Sequence, residues 1–334
     1  MEEEKKLYPF RLCSQLDEYS WGSEDFKVAD LGYRDSLVRE GWLAGNSLSE
    51  VMDAYLDRVT GDAVYDIYGR QFPVCVRHIR VHGRIPLRVC PDDEVAEQRY
   101  DSRGKEKLWY VLRAGKNAEL MLGFRQQTGG GELYEACLDG SVEKLLNVVA
   151  PHQGQYFHIA PGTPHAAAGD VEILEISESS ALDFCLCGWG EPVSPEEFDE
   201  TLNLVDALDF IDYRPFRYDL ATDGFRLISI PQFDVTRVNL KGPMDVSSEK
   251  ADSFVLVSCI EGAISVCVDV FGQQFSYGAA AGETLLVPAE CQDYRMIPSM
   301  PGTVIVETIV PPLDRPDAYI NPNAPVTLPD DMED

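Results

Sequence analysis

No apolar run in the 334-residue sequence reaches the roughly 18 residues needed to cross a bilayer, so a helical membrane span is excluded. The first residues, MEEEKKLYPF, are acidic, then basic, and lack the apolar core of a secretion signal, so export is not expected. Positive charge is scarce: 28 Lys and Arg stand against 57 Asp and Glu, a net charge of −29. Such a surface repels nucleic acid and anionic lipid, which removes both as partners. The nine cysteines (13, 75, 90, 137, 185, 187, 259, 267, 291) are odd in number and scattered, mostly within apolar runs. That fits buried thiols in a reducing compartment better than a disulfide framework, and a cytoplasmic location follows. Long helical patterns are also few. What remains is a soluble globular composition, 45% hydrophobic and 25% charged, long enough for about two domains.

An internal repeat organises the chain. GQYFHIAPGTPH (Gly154 to His165) and GETLLVPAECQD (Gly282 to Asp293) align without a gap: a Gly, five strand-like residues, a small or Pro pair, then a turn. Around them lie short alternating or fully apolar runs, among them LWYVL, VEILEI, FVLVSCI, AISVCVDV and GTVIVETIV, separated by Gly, Pro and Asn turns. Many short strands between tight turns predict a mainly β protein built of antiparallel sandwiches or barrels, and two repeat copies predict two of them. NSLSEVMDAYLDRV reads as a helix with an Asn/Ser cap and Leu48, Val51, Met52, Tyr55 and Leu56 on one face. SPEEFDETLNLVDALDFID reads as a helix linking the barrels, and SVEKLLNVV as a shorter helical turn. The tail from residue 316 is acidic and Pro-rich, and is expected to be extended.

The spacing G-x5-P-x-G-x2-H resembles the second motif of the cupins, small double-sheet jelly-roll barrels. Gly154, Gly162 and His165 fit it in the first copy, with Pro161 displaced by one; in the second, Glu290 and Asp293 replace the Gly and His. YSWG, GWLAGNSL, FPVCVR, VCPDDEVA, GKEKLWYVL, APGTPHA and ALDFIDYRPF then occur in an order that resembles the type I mannose-6-phosphate isomerases in their short bacterial, two-cupin form. The resemblance implies an N-terminal cupin domain over 1–193 with a helical insertion at 35–60, a linking helix at 194–214, a C-terminal cupin domain over 215–315 and the tail 316–334.

That family is an aldose–ketose isomerase family, and its resident zinc polarises the substrate's carbonyl and hydroxyl beside a base. The resemblance implies that this zinc is held by the Gln and His of a QVHPDD segment, the Glu of a GKTEMW segment and the His of a GTxHA segment. The corresponding residues here are Arg88, Cys90, Lys107 and His165, and the family's catalytic arginine position is Cys185. Cys for His is tolerable, since zinc accepts thiolate. Arg88 and Lys107 cannot ligate while charged, and one positive charge about 4 Å from a dication costs about 8 kcal/mol at an effective dielectric of about 20. No metal is therefore expected; His165 and Cys90 are the remaining ligands if one binds. Lys105 keeps the family's GK lysine, as a substrate contact or a solvated turn residue. Glu175 and Glu178 in LEISES offer a base or ligand, with alternation turning at least one into the barrel. His78 and His82 have i, i+4 spacing but lie in a strand-like run, and Cys185 and Cys187 read as core; Trp109 and Tyr110 read as core aromatics.

Residues 77 to 107 hold eight of the 28 basic residues, at 77, 80, 84, 88, 99, 103, 105 and 107. Two explanations stand: internal pairing with nearby carboxylates, or an anion site in which Arg88 and Lys107 replace zinc as electrophiles. Three functions follow. The first is a catalytically degenerate relative binding a sugar, sugar phosphate or other anion. The second is a working isomerase with an altered metal site. The third is a structural cupin without a small ligand.

Overall fold

The computed structural model describes residues 5–189, 203–218 and 225–312. The chain is mainly β, and its antiparallel sheets form two cupin units. In the first, a six-stranded sheet (Gln15–Tyr19, Gly22–Val28, Val74–Val81, Val171–Glu178, Lys107–Ala114, Tyr156–Ile159) faces a five-stranded one (Phe184–Cys187, Leu87–Val89, His165–Ala168, Glu119–Phe124, Leu146–Val149). In the second, six strands ending in Thr303–Ile309, Asp234–Leu240 and Arg226–Ser229 face the four-stranded sheet around Ala263–Val270. The repeat is structural: Gly154 and Gly282 make the same left-handed turn, at φ +83° and +86°, where a side chain would be strained.

The cores follow from the alternation of side chains along the strands. Trp21, Ile79, Trp109, Leu120 and Ile173 fill part of the first barrel, and Val257, Val266, Leu285 and Ile305 fill the second. The residues on the outward face, Val74, Val76 and Ile176 of the first with Phe233, Leu256 and Val306 of the second, form a shared core between them. The helix Leu48–Tyr55 adds Leu48, Val51 and Met52 to it, and Ser47 with Glu50 forms the capping box at its start. Leu48, Val51 and Met52 of the expected face are thus buried, whereas Tyr55 and Leu56 are half-buried and the helix ends at Leu56, whose φ is +51°. The N-terminal strand Phe10–Arg11 pairs with Thr284–Val287 of the second barrel, a crossing that a division at residue 193 does not anticipate.

SVEKLLNVV is a correction. It forms only a 3₁₀ turn, Val142–Lys144, before the strand Leu146–Val149, because the apolar LNVV run pairs with Glu119–Phe124. The helix start at Ser194 and the tail from 316 lie outside the described residues; the described part of the linker has a helix at Leu204–Ala207. No helix among the described residues is long and apolar enough to cross a membrane.

Candidate functional site

The strand Leu87–Val89 lies between His165–Ala168 and Phe184–Cys187, and register sets Arg88 beside both His165 and Cys185. Leu87 and Val89 therefore point outward, into a core with Leu133 and Leu186, and Arg88 points into the barrel. Beyond it the chain turns into the helix Asp93–Tyr100, capped by Asp92, whose side chain accepts from Val95 N–H. Gly162, at φ +78°, donates its N–H to Cys90 O at 2.8 Å and so fixes the turn that carries Cys90. The facing sheet supplies Glu24, Arg77, Lys107, Trp109 and Glu175, and Arg77 and Trp109 flank Glu175 in register.

These side chains form one buried ionic cluster. Lys107, 1% exposed, places Nζ 2.7 Å from Asp183 Oδ1, 3.0 Å from His165 Nε2 and 4.0 Å from Glu175 Oε2. Asp183 Oδ2 takes Lys105 Nζ at 2.8 Å, while Cys90 Sγ donates to Oδ1 at 2.9 Å. Arg77 bridges Glu175 and Glu24, the latter at 3.0 Å, and Arg88 Nη1 meets the other Glu24 oxygen at 3.0 Å. Trp109 Nε1 donates to Glu175 Oε2 at 2.7 Å. Four cations thus meet three carboxylates, and each cation has a carboxylate oxygen within 3.0 Å.

Protonation states follow from this geometry. Burial alone would lower the Lys107 pKa, but the carboxylates of Asp183 and Glu175 outweigh it, so the ammonium is held charged. Burial and then Lys107 push His165 down to about 3, so its ring is neutral. Its Nδ1–H donates to Thr163 O at 2.9 Å, which leaves the Nε2 lone pair facing the ammonium. Burial favours the neutral acids, yet Arg77 and Lys107 hold Glu175 at about 2, and Lys105, Lys107, Arg77 and Arg88 hold Asp183 well below the carboxylate range. Cys90 stays a thiol, pushed up to about 12 by burial and then by Asp183.

The donor atoms of Cys90, His165 and Asp183 lie within 4.8 Å of one another, the spacing of a three-ligand metal site. An ammonium already bonds two of those three groups, and Arg88, Arg77 and Lys105 surround them. This arrangement does not fit a divalent metal. A dication sharing the space would face the repulsion of about 8 kcal/mol per charge at about 4 Å.

The structure brings together six of the residues singled out from sequence, Arg88, Cys90, Lys105, Lys107, His165 and Glu175, with Cys185 alongside Arg88. Glu178 does not join them; its carboxylate accepts Glu106 N–H at 2.9 Å. His78 and His82 bond Glu172 and Asp170 instead. Trp109 and Tyr110 are both buried, but on opposite faces of their strand. Glu24 and Asp183 escaped the sequence reading. Their signals were faint: an acidic residue at an inward strand position, and a carboxylate just ahead of FCLC.

No protein-family profile matches the sequence. The mannose-6-phosphate isomerase ManA of Bacillus subtilis is 25% identical over 272 residues, 78% of this chain and 82% of its own. The mannose-6-phosphate isomerase of Streptococcus mutans is 23% identical over 300 residues, 84% and 92% of the two chains. Among solved structures, a Bacillus subtilis mannose 6-phosphate isomerase superposes with a TM-score of 0.77 at 18% identity, covering 90% of this chain and 99% of its own.

Proposed function

The chain is a member of the type I mannose-6-phosphate isomerase family, and from that premise we propose that it no longer isomerises, but binds a sugar, sugar phosphate or other small anion. One observation carries the loss of catalysis: Lys107 Nζ sits 3.0 Å from His165 Nε2 and 2.7 Å from Asp183, where a catalytic cation would need those same atoms. Isomerisation also needs a free base to move a proton between adjacent carbons. Here Glu175 is committed to Arg77 and Trp109, Asp183 to two lysines, and the His165 lone pair to Lys107.

The binding half of the reading rests on the surplus charge of the cluster and on its rim. Tyr19, raised to about 12 by burial and then by Glu24, feels Arg88 and Arg77; it stacks on Trp21 with ring centroids 4.7 Å apart. Tyr33 is 58% exposed, and its hydroxyl feels Arg77 and Asp183 of the cluster. Aromatic faces beside a fixed positive charge suit a sugar with an anionic group.

The test has two parts. The purified protein should hold well under one metal per chain by elemental analysis and should not interconvert mannose 6-phosphate and fructose 6-phosphate. Sugar phosphate or citrate should raise its stability by roughly 2.7 kcal/mol at a hundred times the dissociation constant. The gain should fade with sodium chloride and vanish in the Arg88→Ala, Lys107→Ala double variant. A stoichiometric metal at His165 together with turnover would establish the second reading, an active isomerase, whose support is the proximity of Cys90, His165 and Asp183.

A further inference from the structure

A second candidate site lies outside the first barrel. A cavity of about 310 Å³ opens between the barrels, with His78, Arg113 and Glu172 on one wall and Ser258 and Glu283 on the other. It shares Leu112, Gln153, Ile260 and Glu261 with a neighbouring hollow of about 430 Å³. Both volumes fall within the roughly 300–1,000 Å³ of small-molecule sites, which favour domain interfaces.

The two hollows differ in how their charges are satisfied. In the first, Glu172 already holds Arg113 at 2.8 Å and His78 at 3.1 Å. In the second, Arg237 makes no ion pair among the described residues, and its Nε is buried without a hydrogen-bond partner. A buried donor left unmade is costly, which makes this guanidinium the group in the cleft that an incoming acceptor would satisfy. Tyr110 of the first barrel lines the same hollow; its hydroxyl, raised chiefly by burial, feels Arg237 and Glu261 in opposite senses. Leu112 and Ile260 give an apolar floor, and Gln153 and Gln155 give uncharged amides around it. An apolar face with amides, a phenol and one cation suits the C–H face, the hydroxyls and the single negative charge of an acidic sugar derivative.

We propose that this inter-barrel cleft binds a polyol of monosaccharide size carrying one anionic group, phosphate or carboxylate, with Arg237 as its anchor. The site goes beyond the first-barrel reading and does not depend on it. Metal-dependent turnover in the first barrel would overturn that reading and leave this one intact, and substitutions at Arg237 do not touch the barrel cluster.

Calorimetric titration with mannose 6-phosphate, gluconate, mannose and inorganic phosphate tests it. Mannose 6-phosphate or gluconate should bind, and which of them binds more tightly identifies the anionic group. Mannose and inorganic phosphate, each holding half of the recognised chemistry, should bind at least about tenfold more weakly. Arg237→Met should weaken the anionic probe about tenfold or more, Arg237→Lys should restore part of that loss, and Glu261→Gln should tighten binding by removing a like charge. The Glu261 variant keeps the test open if Arg237→Met fails to fold. The proposal is overturned if neither anionic probe binds, or if affinity is unchanged in both Arg237→Met and Glu261→Gln.

Discussion

Lys107→Met is the most informative single change, because methionine keeps most of the buried volume and removes only the ammonium. Three effects follow from the geometry. Asp183 loses its 2.7 Å partner but keeps Lys105 at 2.8 Å and the Cys90 thiol at 2.9 Å. The cost should sit near the lower end of the roughly 3–5 kcal/mol for breaking a buried pair. The Nε2 lone pair of His165 becomes free, and the cluster's net charge falls by one. Cys90, His165 and Asp183 are then three donors within 4.8 Å with no cation between them. Removing a unit charge about 4 Å from a dication relieves about 8 kcal/mol at an effective dielectric of about 20. At about 1.4 kcal/mol per decade, that is a gain of nearly six orders of magnitude in affinity as an upper limit. Cobalt(II) reports it directly: the variant should develop thiolate-to-cobalt absorption in the near ultraviolet and bind one ion per chain, and the parent protein should do neither. Equal cobalt binding by both proteins would refute the idea that Lys107 stands in the metal's place. So would a folded variant that binds none at millimolar metal.

Acid should unfold the protein through the same cluster. His165 falls from an ordinary 6.5 to about 3, so the unfolded chain takes up that proton first and stability declines as pH drops through this window. Glu175 adds a second loss between its ordinary 4.5 and about 2. Asp30 and Glu307, raised by burial to about 6 and about 7, act in the opposite sense within this window. The His165 contribution is therefore read as the difference in unfolding free energy between the parent and a His165→Gln variant, which should shift against the parent by on the order of 4 kcal/mol between about pH 6.5 and pH 3. A parent-to-variant difference that does not change on acidification would contradict this. Trp109→Phe deletes the 2.7 Å donor to Glu175 Oε2 and should cost about 1–3 kcal/mol by calorimetry; a neutral result would mean that Lys107 alone satisfies that oxygen. Restoring Arg88→Gln, Cys90→His and Lys107→Glu together should recover zinc binding with little isomerase turnover, and adding Cys185→Arg should raise turnover. Substantial turnover before that fourth change would discount the arginine position.

The two-barrel fold was readable because it depends on patterns that repeat: strand alternation, and a Gly turn used twice. Local ambiguity caused the misses. LNVV is too short for periodicity to separate strand from helix, and it became a strand through pairing with Glu119–Phe124. The helix Asp93–Tyr100 buries only Ala96, so it shows no apolar stripe; the Asp92 cap was its one signal. Gly130–Asp139 opens on glycines that read as a turn, yet Leu133 and Ala136 dock on the outer face of the first barrel. The replaced ligand positions were legible from their motifs alone. Their partners were not, because Glu24 and Arg88 lie 64 residues apart and Lys107 and Asp183 lie 76 apart, brought together only when the sheets close.

Charge arithmetic explains why this buried cluster can tolerate such a replacement. In the arrangement that the family resemblance implies, a Glu at position 107 and a zinc ion together carry −1 + 2 = +1. Lys107 alone also carries +1, in the same space and bonded to the same His165. The neighbouring carboxylates, Glu175 and Asp183, therefore meet the net charge they would have met with metal bound. Arg88 adds a further positive charge, and Glu24 answers it at 3.0 Å. Cys90 adds none while it remains a thiol. A single change at either basic position would leave a buried charge uncompensated, at a cost of several kcal/mol. The substitutions at 88 and 107 are therefore coupled to the carboxylates around them and not to each other: Lys107→Glu without metal should destabilise the protein more than Lys107→Met, since it places a third negative charge beside Glu175 and Asp183. Zinc should rescue much of that deficit and leave the parent protein unchanged. Equal melting temperatures for the two variants, with or without zinc, would show that the ammonium does not hold the place of the metal charge.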